Sequence, residues 1–403
     1  MQEGTTRERP RPRRDSGAGR ALFRAVKLLL RGDPLKARGV LDEAYVAWRV
    51  PPAPLPSLAQ VAAQFAPPTE PAGPVEPVDV IVPVHNGPQH VARLFATLFD
   101  RTGPQHRFLL ADDASTDQQT LSLLQAASAR PNVRLLRSET NRGFTATVNA
   151  AMAEATGHAV LLNTDTEVPP GWLDRLMRPV RSERRIASAT PFSNSASIFS
   201  FPVPDRVNAL PAGLDVCAVD AAFARLTPAF DPSLVAPAGV GFCMAVHIGA
   251  WRALGPFDAA TFGRGYGEET DWCLRAAAAG WRNLLVPNLF VYHEDGGTFG
   301  TATKRAILQI NLRHLHRRWP AYRRQLATFC RRDPFAPRRA AAMLALATAP
   351  HGQVGTMVRA SPANDRGETV VEIEVDHGHC AIGPIADADP AGRVIALGRS
   401  AWR

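Results

Sequence analysis

The sequence predicts an α/β domain over residues 78–325: a mixed, mainly parallel sheet flanked by helices. A helical N-terminal extension precedes it and a small C-terminal extension follows. Three observations predict this. Short apolar runs, long enough for buried strands, alternate with segments of helical periodicity. Such alternation is the pattern of a parallel sheet with helices on both faces. Polar clusters follow four of the apolar runs, at the carboxyl ends where such sheets hold ligands.

The elements follow in order. "VDVIVPVHN" opens the domain as a buried strand ending at His85-Asn86, and "HVARLFATLFDRT" is a helix with Val91, Leu94, Phe95 and Leu98 on one face. "RFLLADDASTD" is a strand running into Asp112-Asp113, followed by the helix "QTLSLLQAASA". "NVRLLRSETNRGF" is a third strand with Asn141-Arg142-Gly143 in its loop, and "ATVNAAMAEAT" is a helix stopped by Gly157. "HAVLLNTDTEV" is the fourth strand, ending in Asp165 and Glu167. In the second half, "GVGFCMAVHIGAWRALGPFD" reads as strand and helix, and "GRGYGEETDWCLRAAAAGW" as a glycine loop and helix. "RNLLVPNLFVYHEDGGTFG" is a strand pair ending at His293, and "KRAILQINLRHLHRRWP" is a basic helix. Beyond Pro334, "RRAAAMLALATA" suggests a helix and "ETVVEIEVDH" a strand.

The flanks differ in composition. Residues 1–19 are rich in Arg, Pro and Gly and are expected to be disordered. Residues 20–50 hold a basic amphipathic helix and a second helix. Leu22, Phe23, Val26, Leu29 and Leu30 share one face of the first helix, and Arg20, Arg24, Lys27 and Arg31 another. The plain reading is that this helix packs on the body and keeps its charges in water. Residues 51–77 contain nine prolines and read as an extended linker. Residues 326–403 form an extension without a role legible in the sequence.

The net charge of +9 is uneven. Residues 1–40 carry 11 Lys/Arg against 4 Asp/Glu, and residues 300–340 carry 11 against 1. The rest is therefore acidic, which suits two local anionic contacts rather than a nucleic-acid binder. No aromatic-interleaved basic motif marks an RNA site, so nucleic acid is not an expected partner. The five cysteines are scattered without a CxxC pair, as in a reducing cytosol. No run approaches the roughly 20 apolar residues of a membrane span, and the polar start does not resemble a secretory signal. The expected location is cytoplasmic, with peripheral contact at the inner face of the cell membrane.

Asp165 and Glu167 carry the first chemical expectation. Two carboxylates one residue apart at a strand end suit a hard cation, Mg²⁺ or Mn²⁺, which shares its coordination with phosphate oxygens. Solvated acids in a turn are the commoner meaning of such spacing. A dehydrogenase is excluded because the first strand leads into "PVHNGPQHV", not G-x-G-x-x-G. The same loop lacks the glycine-rich, basic character of a sugar-phosphate nucleotidylyltransferase.

Six segments in order resemble the family 2 glycosyltransferases over residues 77–320: "VIVPVHNG", "LADDASTD", "NRGFTATVNAAMAEATG", "LLNTDTEVPPGWL", "GYGEETDWCLR" and "VYHEDGG". The resemblance implies a GT-A (Rossmann-like) nucleotide-binding fold. It implies a nucleotide-diphosphate sugar donor and inversion by single displacement, while the basic helices, suited to an anionic membrane, point to a polysaccharide or lipid-linked saccharide hydroxyl as acceptor. It implies nucleotide contacts from Pro83, His85, Asn86, Asp112, Asp113, Asn141, Arg142 and Gly143, with Asp112 on the base. Asp165, Glu167 and His293 would hold the metal, and Glu269 would be the catalytic base, with Glu268 and Asp271 its near competitors. The sequence departs from the family pattern at Glu167 and Glu269, each a Glu where the family has Asp.

Each candidate has a plainer structural meaning. The acids at 268–271 can stabilise a helix N-terminus, and Asp271 can pair with Arg275. His293 can be a satisfied core histidine, Arg142 a solvated side chain, and Trp172 and Trp251 core residues. Asn86 and Asn149 lie near the nucleotide loops. The alternative of a different class is a catalytically silent nucleotide-sugar or polysaccharide binder.

Overall fold

A computed structural model describes residues 16–65, 76–183, 185–211, 213–294, 301–349, 356–362, 369–375 and 378–385. The tail expected to be disordered falls mostly outside these residues, as do 66–75 of the Pro-rich segment and 295–300 after the last strand. Helix α1 (Ser16–Leu30) leads to α2 (Pro34–Arg49), whose N-cap is Asp33. The Pro-rich segment is not wholly extended. Ser57 and Gln60 form a reciprocal capping box that starts α3 (Leu58–Ala62) and buries Val61.

The sheet then builds outward as the apolar runs predict. β1 (Asp79–Val84), α4 (Pro88–Leu98), β2 (Arg107–Asp112), α5 (Gln118–Ser128), β3 (Val133–Arg137), α6 (Phe144–Ala153) and β4 (Ala159–Leu162) follow in turn. β1 pairs in parallel with β2 on one side and β4 on the other, so the order in which strands are added reverses there. The β1–β2 ladder runs to Val84↔Asp112, but the β1–β4 ladder stops at Ile81↔Leu161. Asp79 N–H bonds toward β4, to the His158 carbonyl, so Ile81 and Pro83 face the same side. Pro83 lacks an N–H and sits just past the point where that ladder ends. The two strands part there and leave a crevice.

The second half is less regular. β5 (Thr166–Glu167), α7 (Trp172–Ser182), β6 (Ile186–Phe192), α8 (Val216–Phe223), β7 (Val235–Ala236) and β8 (Cys243–Val246) come first. Then come α9 (Ile248–Leu254), α10 (Ala259–Phe262), α11 (Glu268–Ala278), β9 (Arg282–Phe290) and β10 (Tyr292–His293). The eight-stranded order is β3-β2-β1-β4-β8-β6-β9-β7, with β8 antiparallel to both β4 and β6. The short strands β5 and β10 pair antiparallel in a separate two-stranded sheet. Trp172 and Trp251 are core residues: the first is fully buried with its indole N–H on Thr102 Oγ1, and the second packs on Phe257 and Trp272.

After α12 (Thr301–Arg318) come α13 (Tyr322–Arg332), α14 (Ala336–Ala347) and an antiparallel sheet of β11 (Thr356–Pro362), β12 (Thr369–Val375) and β13 (Gly378–Ile385). The chain divides into two compact units, Met1–Ala53 with His316–Arg332, and Pro54–Leu315 with Asp333–Arg403. The C-terminal extension expected from residue 326 is thus shared between them. In the first unit α13 lies on α2, where Arg324 pairs with Asp42 at 3.1 Å and Gly39 leaves space for the Arg323 guanidinium. In the second, α14 is buried. Arg339 donates to the Ser200 and Ile198 carbonyls at 3.1 and 2.6 Å, Arg338 pairs with Asp231 at 2.8 Å, and Phe335 packs on Phe192 and Phe199.

Candidate active site

The crevice between β1 and β4 opens into a cavity of about 890 Å³. Its first wall comes from the end of β1 and the two loops beside it. Asn86, in the left-handed region at φ +56°, accepts from the Thr116 and Asp117 N–H groups and donates its own N–H to Ser115 Oγ. It therefore pins the turn after β2. Pro83, His85, Asn86, Asp113, Asn141 and Gly143 all line the cavity. The His85 Nδ1 donates to the Asp113 carbonyl at 2.8 Å, which turns Nε2 toward the Asn141 amide, 3.2 Å away. The Asp113 carboxylate accepts from Arg142 N–H at 2.7 Å and Gly143 N–H at 2.8 Å, so it shapes the loop that leads into α6.

Two nucleotide candidates lie elsewhere. Asp112 is fully buried, accepts from Ser115 N–H and faces Arg137 at 3.5 Å, off the cavity wall. A strand alternates its side chains, so of two successive acids only one faces the cavity, and here that is Asp113. The Arg142 guanidinium donates to Ser138 Oγ and lines a separate, smaller cavity. Asn149 is also structural, with both ends of its amide on the Phe257 backbone.

The second wall carries the acids. Asp165 lines the cavity, and its Oδ1 is buried with no hydrogen-bond partner among the described residues. His293 Nε2 is 3.4 Å from that oxygen. The Ser195 carbonyl can only accept, so the His293 Nδ1 2.6 Å from it carries the proton. Asn194 holds both backbone groups of His293, and the ring stacks on Phe242. Glu167 departs from expectation. Residues 164–165 form a turn, which breaks the alternation that would align Asp165 with Glu167. Glu167 instead faces Arg101 at 3.9 Å and does not line the cavity. Among the described residues, no group of three or more His, Cys, Asp or Glu is arranged to hold a metal ion.

The glycine loop forms the remaining side. Gly263, Gly265, Tyr266 and Gly267 all have positive φ, and buried Asn311 on α12 donates to the Gly265 and Phe262 carbonyls at 2.7 and 3.3 Å. Glu268 and Glu269 open α11 on the cavity wall. Burial, and next the charge of Glu269, push the Glu268 carboxyl well above its usual range, and its Oε2 is buried without a partner among the described residues. Burial also raises Glu269, opposed by backbone N–H groups that include Gly267, 3.2 Å from Oε2. Asp271 is not part of this group. It is buried and paired with Arg275 at 3.0 Å, the helix-internal pairing that its spacing allows.

Among the cavity residues that escaped the sequence reading are Asn163 and Arg264. Asn163 stands two positions before Asp165, and its buried Oδ1 has no partner among the described residues. An N-x-D spacing at a strand end was the available signal. Arg264 brings a cation to the wall from within the glycine loop.

An α/β sheet with an acid-lined cavity at its switch point is an architecture that holds a ligand beyond the strand ends. The Glycosyl transferase family 2 profile matches residues 79–231. The chain is 30% identical over 244 residues to the N-acetylglucosaminyl-diphospho-decaprenol L-rhamnosyltransferase of Mycobacterium tuberculosis, covering 55% of this chain and 76% of the relative. It is 27% identical over 142 residues to the undecaprenyl-phosphate 4-deoxy-4-formamido-L-arabinose transferase of Klebsiella pneumoniae, covering 34% of this chain and 43% of that one. Among solved structures, a mannosyltransferase from Pyrobaculum calidifontis in complex with GDP-Man and Mn²⁺ aligns with TM-score 0.48 and 17% identity, covering 82% of this chain and 87% of that one. The chain belongs to glycosyltransferase family 2. It is a glycosyltransferase, and its sheet is the GT-A fold that the motifs implied.

Proposed function

We propose that the protein transfers a sugar from a nucleotide-diphosphate donor to a hydroxyl of a lipid-linked saccharide or polysaccharide, with inversion, in the cytoplasm. The observation that carries the reading is one cavity lined by both Asp165–His293 and Glu268–Glu269. The rhamnosyltransferase relative, whose name specifies a diphospho-decaprenol saccharide, supports a lipid-linked acceptor.

The residues present fit Mg²⁺ or Mn²⁺. Asp165 Oδ1 and Asn163 Oδ1 are buried oxygens without partners among the described residues, and the His293 tautomer turns Nε2 toward Asp165. So few protein donors suit a cation that also takes diphosphate oxygens. When bound, the ion would offset charge on the leaving diphosphate. Arg264 would act on the same charge from the glycine loop. Asn86 and Asp113 hold the two loops against which the nucleotide would lie. Glu269 takes the acceptor proton as the acceptor oxygen attacks the anomeric carbon and the bond to the diphosphate breaks. Burial raises both carboxyls, Glu268 further through the charge of its neighbour, while backbone N–H groups oppose the rise at Glu269, which favours Glu269 as the base of the pair.

The test is the melting temperature against a panel of nucleoside diphosphates, each with and without Mn²⁺. A ligand that binds only the folded chain raises it by mass action. One nucleotide should give a Mn²⁺-dependent rise that Asp165→Ala removes. Glu269→Gln should keep that rise and lose donor consumption by about 100-fold or more. A flat response from folded protein would overturn the reading and leave a polysaccharide binder, and a rise without donor consumption would mark a silent nucleotide-sugar binder.

A further inference from the structure

We infer that the α1–α2 hairpin docks the enzyme on an anionic lipid surface. The inference rests on the proposed function only for the choice of lipid as partner. The geometry of the hairpin stands by itself.

Helix α1 does not bury the face that its sequence marks as apolar. Ala25 is buried, and Ala21 and Leu28 are half-buried, so a narrow strip of small and medium residues makes its packing contact. Leu22, Phe23, Val26, Leu29 and Leu30 remain exposed, Phe23 at 73% and Leu30 at 84%. At roughly 100° per residue the three groups occupy separate arcs. The exposed apolar arc spans about 120°, the basic arc of Arg20, Arg24, Lys27 and Arg31 lies next to it, and the packing strip closes the circle. On α2, Leu41, Tyr45 and Trp48 are exposed at helical spacing, Trp48 at 64%. Eight of the 13 exposed large apolar side chains among the described residues lie on these two helices.

Charge selects the occupant. Residues 20–53 and 316–332, the described part of this unit without its first turn, carry 13 Lys/Arg against 3 Asp/Glu. The three acids, Asp33, Asp42 and Glu43, are each within 4 Å of a basic side chain of the same unit. A second copy of the chain would bring basic arc to basic arc in a self-complementary pairing, which repels. An anionic bilayer takes the apolar arc into its headgroup boundary and the basic arc against its phosphates. Tyr and Trp are the aromatic residues suited to that boundary. No described helix is long and apolar enough to cross a membrane, so the contact would be interfacial.

The experiment is co-sedimentation of the full chain with phosphatidylcholine vesicles, with and without phosphatidylglycerol. The chain should sediment with the anionic vesicles only, and high salt should release it. Phe23→Glu/Leu30→Glu and Arg24→Glu/Lys27→Glu alter exposed positions and should melt like the parent. Each should bind anionic vesicles roughly tenfold more weakly or worse. The nucleotide-induced rise in melting temperature should persist in both, which separates docking from catalysis. A chain that ignores both vesicle types, or variants that bind as the parent does, would overturn the inference. So would a dimer in solution that Phe23→Glu dissociates, because it would assign the face to a second copy.

Discussion

Gly143→Ala tests how the glycine loop is seated. Gly143 has φ +84° and ψ 162°, a region that essentially only glycine enters, at a cost of roughly 1–3 kcal/mol for another residue. A Cβ there would also stand 3.0 Å from the Gly263 carbonyl oxygen and 3.2 Å from the Arg264 Cα, both backbone atoms. The loop that carries Arg264 and leads into Glu268–Glu269 must retreat. The strain alone should lower the melting temperature by roughly 2–12 °C, at about 2–4 °C per kcal/mol. Displacing catalytic groups by about 1 Å can cost about 100-fold in rate. Gly171 is the control. It too has positive φ, +66°, but a Cβ would meet nothing within 4 Å. Gly171→Ala should therefore lose stability with little loss of rate. Thermal melts and donor-consumption assays on both variants decide it. If Gly143→Ala loses no more rate than Gly171→Ala, the close approach of the two loops does not matter for transfer.

Three further outcomes follow from the same geometry. Burial, and next the charge of Glu269, raise the Glu268 carboxyl in the fold, so it contributes stability at pH below its unfolded pKa and loses it as pH rises toward its raised folded value. Glu268→Gln cannot titrate there and should shrink the fall in melting temperature between acid and mildly alkaline pH. Asn311→Ala removes the donor from the Phe262 and Gly265 carbonyls, each bond contributing about 0.5–1.5 kcal/mol, and should lower turnover more than it lowers the melting point. Arg339→Met leaves two buried carbonyls without their donor and should destabilise the chain by about 2–4 kcal/mol in denaturant melts.

The alternation of strands and helices was legible because both periods are local. Val80–Val84 and Leu94–Leu98 each report a buried face within a few residues. Strand-end placement then located the cavity, and Asp165, His293, Asp113 and Glu269 all reach it. What the sequence left open is non-local or turns on one residue of register. Which of Asp112 and Asp113 faces the cavity depends on the pleat. The departure of Glu167 depends on a turn at 164–165, which Asn163-Thr164-Asp165 allow but whose effect on the following register only the structure gives. The burial of α14 and the sharing of residues 316–332 with the N-terminal helices depend on partners far away in sequence. Most telling is α1, where the apolar arc was read correctly but its expected burial was not. The helix packs through alanines instead, a choice that periodicity alone does not reveal.

The bonds from Arg339 have a consequence for where this enzyme can be cut. They hold the carbonyls of Ile198 and Ser200, in the same loop that offers the Ser195 carbonyl to His293. A histidine at the mouth of the cavity is thus steadied, at one remove, by a helix more than 100 positions beyond the last residue matched by the family profile. The unit that must be inherited, transplanted or expressed intact is longer than the stretch by which the family is recognised. A fragment trimmed to residues 79–231 would retain the Asp165 signature and lack both His293 and the brace behind it.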